Sequence, residues 1–430
     1  MLAVFVLVLF IILLLISIPI GSALGMISIA PIMIEPSFGV SIEFVIRSMF
    51  AGIDSFPLLA IPMFVLSGII MARGGVSKRL FDIFSYFLAN KTAGIPCAVV
   101  VTCLFYGAIS GSAPATVAAV GSMSLPIMLK LGYDKTFATA LIAVAGGLGV
   151  IIPPSIPFIL YGMATGVSVS KLFLAGIVPG LLIALFLMGY SIYYCKKHGE
   201  DHDQIQLEVH SLRERGFIRI LKDGFWALLT PVIILGCIYS GIASPTEAAV
   251  ISVFYALFIS LFIYKTIHLQ DLKDILVESL TTFTPLLFIL AAAVGFSRIL
   301  TLLQVPQMAG DFISSHFHSL WIILILVNLL LLLVGMVMDT SPAILILAPI
   351  MMPILVSFGM DPIQFGIIMV VNLAIGFVTP PIGVNLFVAS RLTDVPVFHI
   401  AKKALPMIIL LLVALFLFSA FPQLSLMVLG

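Results

Sequence analysis

Charge is what this chain has least of. Only 9% of its 430 residues are Asp, Glu, Lys or Arg, whereas 62% are hydrophobic and the mean hydropathy is +1.29. Too little charge remains to solvate a soluble domain, and the long apolar runs make the chain polytopic in a membrane. The net charge of +1 says nothing about partners, because the charges gather in loops. No basic run is interleaved with aromatics, which disfavours nucleic acid as a partner. The four cysteines, Cys97, Cys103, Cys195 and Cys237, lack metal-ligand spacing and are predicted to be free, buried thiols. No G-x-x-x-x-G-K-[ST] loop occurs, so the chain does not itself hydrolyse ATP. Paired acids and a His-rich site are also missing at membrane depth, which argues against an embedded enzyme. Met1 to Ile20 lacks the positive n-region of a signal peptide and reads as a membrane helix, with a counterpart around Leu228 to Ala243.

What is present is a polar, proline-marked pattern that occurs twice. The first copy is Ser110-Gly-Ser-Ala-Pro-Ala-Thr116, then Pro126, Gly132, Asp134, Gly149 and Pro153-Pro154. The second is Met338-Asp-Thr-Ser-Pro-Ala343, then Pro353, Gly359, Asp361, Gly376 and Pro380-Pro381. From Pro126 and Pro353 onward the offset is constant at 227 (353 − 126); the serine-rich tips slip by one, Pro114 against Pro342. Unwound backbone at matching places in two halves points to the binding site of a secondary transporter.

Membrane helices are expected near 2–20, 22–34, 56–73, 135–165 and 172–195, and again near 226–243, 246–264, 281–303, 362–390 and 404–428. Two helix pairs, 93–109 with 114–130 and 319–338 with 342–357, turn at the polar tips, and we read them as re-entrant. The resulting fold class is an all-α polytopic membrane protein, an inverted-repeat elevator with about ten crossing helices, some of them broken. Its divisions are 1–197 (hairpin 93–130, broken helix 135–165), a cytoplasmic linker 198–223, and 224–430 (hairpin 319–357, broken helix 362–390). Phe56-Pro57-Leu58-Leu59 is echoed by Thr284-Pro285-Leu286-Leu287. Ser77 to Leu88 is echoed by Pro306 to Phe317, and the amphipathic Ser41 to Ile53 by Leu269 to Thr281, which suggests an interfacial arm helix in each half.

Five crossings per half is an odd number, so the second half is inverted. Lys and Arg test this. With both termini periplasmic, nearly all basic residues, among them Arg73, Lys78, Arg79, Lys91, Lys130, Lys135, Lys196, Lys197, Arg213, Arg215, Arg219, Lys222, Lys265, Lys273, Arg391, Lys402 and Lys403, fall on the cytoplasmic side. Only Arg47 and Lys171 fall outside, and Arg298 lies within a span. That is the positive-inside bias. The linker's His198 and His202 have a helical metal-ligand spacing, but Gly199 and the neighbouring acids favour a solvated loop; His316 and His318 read as surface.

A sodium ion needs oxygen ligands, which hydrocarbon does not supply; carbonyls become available where a helix breaks beside a cavity. The double prolines force such breaks and free carbonyls near Gly149, Ile152, Gly376 and Thr379. Ser110, Ser112, Thr116, Thr340 and Ser341 add tip oxygens, so each half can assemble one cation site. Helix N-termini near Pro114 and Pro342 would point amides at an anionic substrate. The competing structural explanation is that proline pairs only kink and small residues only pack; duplication at matching positions weighs against it. Asp339 at bilayer depth costs roughly 2.5–3.5 kcal/mol, so it has a role as sodium ligand, helix cap or proton carrier. Its counterpart Ser112 is uncharged. Asn385 is a candidate for substrate or tip contact.

These segments resemble the large membrane subunit of the tripartite ATP-independent periplasmic (TRAP) transporters. The carriers are Ser110-Gly-Ser-Ala-Pro-Ala-Thr116, Ile152-Pro-Pro-Ser-Ile-Pro157, Gly335-Met-Val-Met-Asp339 with Ser341-Pro342, Ala348-Pro349 with Pro353, Thr379-Pro-Pro-Ile-Gly383 and Pro245-Thr-Glu247. The resemblance implies a sodium symporter of the bacterial inner membrane in which the hairpins and broken helices slide against a scaffold of the other helices. It implies a periplasmic solute-binding protein delivering a small carboxylate, such as a C4-dicarboxylate or sialic acid. It also implies a small four-helix membrane subunit, expected here as a separate chain. Two Na+ sites carry over: Ser110, Ser112, Gly149 and Pro153 in one half, and Gly335, Met338, Thr340 and Thr379 in the other. Substrate contacts are assigned to Ser112, Ala113, Thr116, Ser155, Asp339, Ser341, Pro381 and Asn385. The alternative is a stand-alone two-hairpin divalent-anion sodium symporter that needs no binding protein.

Overall fold

The computed structural model describes residues 2–16, 18–35, 38–214, 216–317 and 319–429, apart from the side chains of Leu15, His202, Glu208, Val209, Ser211, Leu212 and Ser314. Arg215, His318 and the side chain of His202 thus lie outside the described residues. Those described form helices and no strand, as expected where backbone polar groups have no water to bond. Among them eight helices are long and apolar enough to cross a membrane, or nine if the pair Lys135–Ile151 and Ile156–Thr165, bent by 41°, is one span. The count differs from the expected ten partly because Leu2–Leu15 and Ile20–Ile34 have only 14 and 15 residues.

Each hairpin meets the break in its own half's broken helix. The first hairpin is Gly94–Ser110 and Ala113–Lys130, joined by Gly111 and Ser112 alone. So tight a turn needs the left-handed backbone of Gly111 (φ +61°). The second hairpin joins Leu320–Gly335 to Thr340–Ser357 through the longer turn Met336 to Asp339. The first broken helix runs Lys135–Ala145, Leu148–Ile151 and Ile156–Thr165. Ile152 is extended, as a residue before proline should be. Ser155 then restarts the helix as its N-cap, and its hydroxyl donates to the Val150 carbonyl (2.5 Å). The second broken helix is Pro362–Gly376 and Val384–Thr393. Pro153-Pro154 and Pro380-Pro381 are both cis.

The hairpins also exchange partners between halves. Thr340–Ser357 packs on Ile156–Thr165, and Ala113–Lys130 packs on Val384–Thr393. Val169–His198 and Val397–Ala420 enclose this unit, which corrects their expected place among the outer helices. The reason is packing: Tyr194 stacks on Phe137 with ring centroids 3.8 Å apart, and a Cβ on Gly176 would lie 2.9 Å from the Ile151 carbonyl oxygen. A second group comprises Ile20–Ile34, Ile42–Ile53, Ala60–Arg73, Phe217–Tyr239, Pro245–Phe258 and Leu272–Leu302. It meets the first at Gly68, where a Cβ would stand 3.3 Å from Ser110 Cα and where Tyr106 donates to the Gly68 carbonyl (3.3 Å).

Two expectations about connections are corrected. The linker is not a loop throughout: His202–Glu214 is helical, and the next helix already begins at Phe217. Arg219 and Lys222 can sit in that helix because their long stems reach past its apolar part to water. The arm predicted at Leu269 to Thr281 is no separate helix, since Leu272–Leu302 runs straight through Pro285. Thr281, Thr282 and Thr284 donate their hydroxyls back to carbonyls of Glu278 and Leu280. In the first half the arm Ile42–Ile53, capped by Ser41, does end before Pro57. Three cysteines are buried and free as expected, while Cys237 is only half-buried.

Candidate functional site

The first hairpin tip collects oxygens. The Ser110 and Thr116 hydroxyls lie 2.9 Å apart, and Thr116 donates to the Ser112 carbonyl at 2.8 Å. Ser110 Oγ is 3.3 Å from the same carbonyl oxygen and accepts from the Ser112 N–H at 3.4 Å. Thr116 is fully buried and Ser110 nearly so. The broken helix closes over this cluster at Gly149, where a Cβ would stand 2.6 Å from the Ser112 carbonyl oxygen and overlap Thr116 Oγ1. Only a glycine permits that approach. Ile156 N–H, just past the double proline, donates to the Gly111 carbonyl (3.3 Å), and a Cβ on Gly111 would meet the Pro154 carbonyl oxygen at 3.0 Å.

Four of the predicted residues, Ser110, Ser112, Thr116 and Gly149, are therefore brought together, with Pro153 beside the Pro154 that touches the tip. A cavity of about 500 Å³ between hairpin and outer helices opens on Ser110 and Ser112, lined also by Pro114, Tyr106 and Thr282 among mainly apolar side chains. Ala113 is fully buried, and Ser155 is fully buried with its hydroxyl committed to Val150. Among the described residues no three His, Cys, Asp or Glu are grouped to hold a metal. A cation at this place would be held by hydroxyl and carbonyl oxygens.

The second tip repeats the backbone and changes the side chains. A Cβ on Gly376 would stand 2.6 Å from Gly335 Cα, and the Ile382 N–H donates to the Met336 carbonyl (3.2 Å). The Asp339 carboxylate caps Thr340–Ser357, accepting from the Ser341 N–H and the Thr340 hydroxyl at 3.1 Å each and from the Ser341 hydroxyl at 3.4 Å. Thr379 turns its hydroxyl to the Ile375 carbonyl (2.7 Å). Met338, Thr340 and Ser341 are buried, and Pro381 is exposed. Asn385 is fully buried and donates to the Ala143 carbonyl, between the two broken helices.

Sequence reasoning missed Gly107, whose Cβ would lie 2.8 Å from Gly149 Cα. Its signal was available: 107 to 335 has the offset of 114 to 342 that marks the slipped tips. It also missed Asn372, which is fully buried and donates to the Asn328 backbone carbonyl (2.9 Å) and side chain (2.7 Å). That pair stands one helical turn before Gly376. Its first-half counterparts, Val100 and Ala145, are apolar, so the repeat gave no sign of it.

Residues 7–424 match the family described as "Tripartite ATP-independent periplasmic transporter, DctM component". The chain is 42% identical over 417 residues to the isethionate TRAP transporter permease protein DctMQ of Oleidesulfovibrio alaskensis, covering 97% of this chain and 65% of that protein. It is 43% identical to the C4-dicarboxylate TRAP transporter large permease protein DctM of Pseudomonas aeruginosa (88% of this chain, 87% of that one). To the sialic acid TRAP transporter large permease protein SiaM of Vibrio cholerae it is 36% identical (95% and 94%). The fold resembles the YdaH transporter of Alcanivorax borkumensis, with a TM-score of 0.62 and 14% identity over 89% of this chain and 88% of that one. It also resembles MtrF of Neisseria gonorrhoeae, with a TM-score of 0.63 and 14% identity over 88% and 83%. The chain belongs to the DctM component family of the tripartite ATP-independent periplasmic transporters, a family of multi-span membrane permeases and not of enzymes.

Proposed function

We propose that the protein imports a small organic anion, most simply a carboxylate, driven by sodium. The observation that carries this reading is the convergence of Ser110 Oγ, Thr116 Oγ1 and the Ser112 carbonyl against Gly149, beside a cavity of about 500 Å³ that Ser110 and Ser112 line. Hard cations take oxygen ligands, and a cavity beside unwound backbone is where a transporter holds cargo and coupling ion. The names of the relatives support the anion class: they include C4-dicarboxylate, sialic acid and 2,3-diketo-L-gulonate permeases.

In this scheme two sodium ions bind, one at each hairpin. The first uses Ser110, Ser112, Gly149 and Pro153; the second uses Gly335, Met338, Thr340 and Thr379. The hairpin and broken-helix unit moves as an elevator against the second helix group, sliding at the Gly68–Ser110 contact. The termini are periplasmic, the repeats are inverted and the membrane is the bacterial inner membrane. A periplasmic binding protein delivers the substrate, and a small membrane subunit joins as a separate chain. Moving one charge down 100 mV yields roughly 2.3 kcal/mol, so two sodium ions with a monoanion can drive accumulation.

Uptake in proteoliposomes tests this. Transport is expected only with a sodium gradient, the small subunit and the loaded binding protein together. Equal uptake with potassium or choline in place of sodium would refute the coupling. Uptake by this chain alone would favour the stand-alone symporter.

A further inference from the structure

The second hairpin is tied to its broken helix by a polar clasp that the transport reading leaves unused. The hairpin's first arm, Leu320–Gly335, lies against Pro362–Gly376 and against its own return arm, Thr340–Ser357. Beyond Trp321, whose ring centroid is 6.4 Å from that of Phe416, a cavity of about 300 Å³ parts the arm from Val397–Ala420. Asn328, Leu332, Asn372 and Leu412 are among its walls. Leu326, Leu329, Leu330 and Leu333 on the same arm are exposed. Lipid tails are as apolar as leucine, so no hydrophobic force sets the register of such a helix on its neighbour; packing and interhelical hydrogen bonds do.

Asn372 crosses this interface while fully buried. Its Nδ2 donates to both the backbone carbonyl and the Oδ1 of Asn328, at 2.9 and 2.7 Å. Asn328 in turn donates to the Leu324 carbonyl of its own helix at 2.9 Å. The amide's orientation is fixed, because the reverse one would set Asn372 Oδ1 against the Asn328 carbonyl oxygen, acceptor against acceptor. That Oδ1 is left without a hydrogen-bond partner among the described residues. A buried acceptor without a partner costs stability, so the amide is not there to make the fold tighter. The best-attested use of a lone polar residue between apolar helices is to select one register.

The same two helices meet again near the tip, where a Cβ on Gly335 would stand 3.2 Å from Leu373 Cα and 3.3 Å from Gly376 Cα. Glycine against glycine permits close approach but offers no side chain to stop sliding or pivoting. A second fixed point, one turn back on one helix and two turns back on the other, supplies the stop. The first tip has other ties: the Ser110 and Thr116 hydroxyls lie 2.9 Å apart, and Thr116 holds the Ser112 carbonyl. At the offset of Pro114 to Pro342 those two residues become Met338 and Ile344, which form no such network. We propose that Asn372 is the positioning residue of the second cation site. Through Asn328 it fixes the register of Leu320–Gly335 on Pro362–Gly376, and so holds Gly335 and Met338 opposite Thr379. This rests on the reading that a sodium ion binds there.

The test uses Asn328→Leu with Asn372→Leu, which removes both partners and leaves neither unpaired. Its thermal midpoint is expected to be no lower than that of wild type. In proteoliposomes with the small subunit and loaded binding protein, it is expected to need about five- to tenfold more sodium for half-maximal uptake, the size of two interhelical hydrogen bonds in a membrane. Asn328→Leu alone keeps the bond to the backbone carbonyl and should fall between. Hydrogen exchange of the full chain reads the same register without transport: amides of Met336 to Asp339 should exchange faster in the double variant, and those of Gly111 and Ser112 at the wild-type rate. An unchanged sodium requirement, or unchanged exchange at Met336 to Asp339, would overturn the proposal. A lowered midpoint with an unchanged sodium requirement would make the clasp a structural bond only. Wild-type uptake indifferent to sodium would instead refute the coupling, and the exchange rates would then decide the positioning role by themselves.

Discussion

Asn385 donates its side-chain amide to the carbonyl of Ala143 at 3.0 Å, across 242 residues of sequence. The acceptor is available because the first broken helix yields at Gly146-Gly147: the Gly147 N–H bonds to Val144 instead of Ala143. A fully buried side chain thus satisfies a carbonyl that the break released, and joins the two halves at their unwound centres. Its own Oδ1 has no hydrogen-bond partner among the described residues.

Removing that amide should loosen the junction. Asn385→Leu leaves the Ala143 carbonyl unpaired in a buried place, at a cost of about 1–3 kcal/mol. The expected outcome is a lower thermal midpoint for the purified protein in detergent. An unchanged midpoint would show that the bond contributes nothing to holding the halves together.

The two glycine crossings should be intolerant of a methyl group. Gly149→Ala places a Cβ 2.6 Å from the Ser112 carbonyl oxygen, and Gly376→Ala places one 2.6 Å from Gly335 Cα. Backbone cannot give way as a flexible side chain can, and overpacking costs about 1–3 kcal/mol. Each variant is expected to need more sodium for half-maximal uptake. Gly189→Ala, with nothing within 4 Å of the added atom, is the control and should behave as wild type.

Asp339 is engaged as a helix cap, through Oδ1 to the Ser341 N–H and two hydroxyls. Asn offers the same acceptor without charge, so Asp339→Asn should keep sodium-dependent uptake. Asp339→Ala should lower stability by about 1 kcal/mol. Loss of uptake in the Asn variant with an intact thermal midpoint would assign the charge to ion or proton handling instead.

Glu200 holds both ends of the first hairpin, accepting from the Ala93 N–H at 2.8 Å and from the Tyr133 hydroxyl at 2.5 Å. Burial first, then the bond to Glu200, pushes the Tyr133 phenol far above its ordinary value. A raised value means that the bond's stabilisation is present below the unfolded tyrosine's range, near pH 10, and is lost only above it. Tyr133→Phe is therefore expected to lower the thermal midpoint by the same amount from about pH 6 to about pH 9. A deficit that changes across that window would contradict the assignment.

Tips and breaks follow from local backbone chemistry: Gly111 permits the left-handed turn, Pro153 and Pro380 remove amide donors, and Ser155 and Asp361 restart helices. Such effects act within a few residues, so the string displays them. The end of the second arm was less legible. Pro285 resembles Pro57 in sequence, but Leu272–Leu302 continues through it, whereas the chain before Pro57 breaks.

The sequence by itself thus determined the membrane class, the two hairpins, the broken helices and the oxygen-rich first tip, because hydropathy, proline and glycine act locally. Only the tertiary structure decided which helix each hairpin leans on. Thr340–Ser357 rests on Ile156–Thr165, Ala113–Lys130 on Val384–Thr393, and Asn372 reaches Asn328. Apolar surfaces attract without direction, so a pattern of leucines and isoleucines does not name its partner. The fit of particular side chains does, as where Leu392 meets Gly121 and Asn372 reaches Asn328, and that fit exists only once the chain is folded.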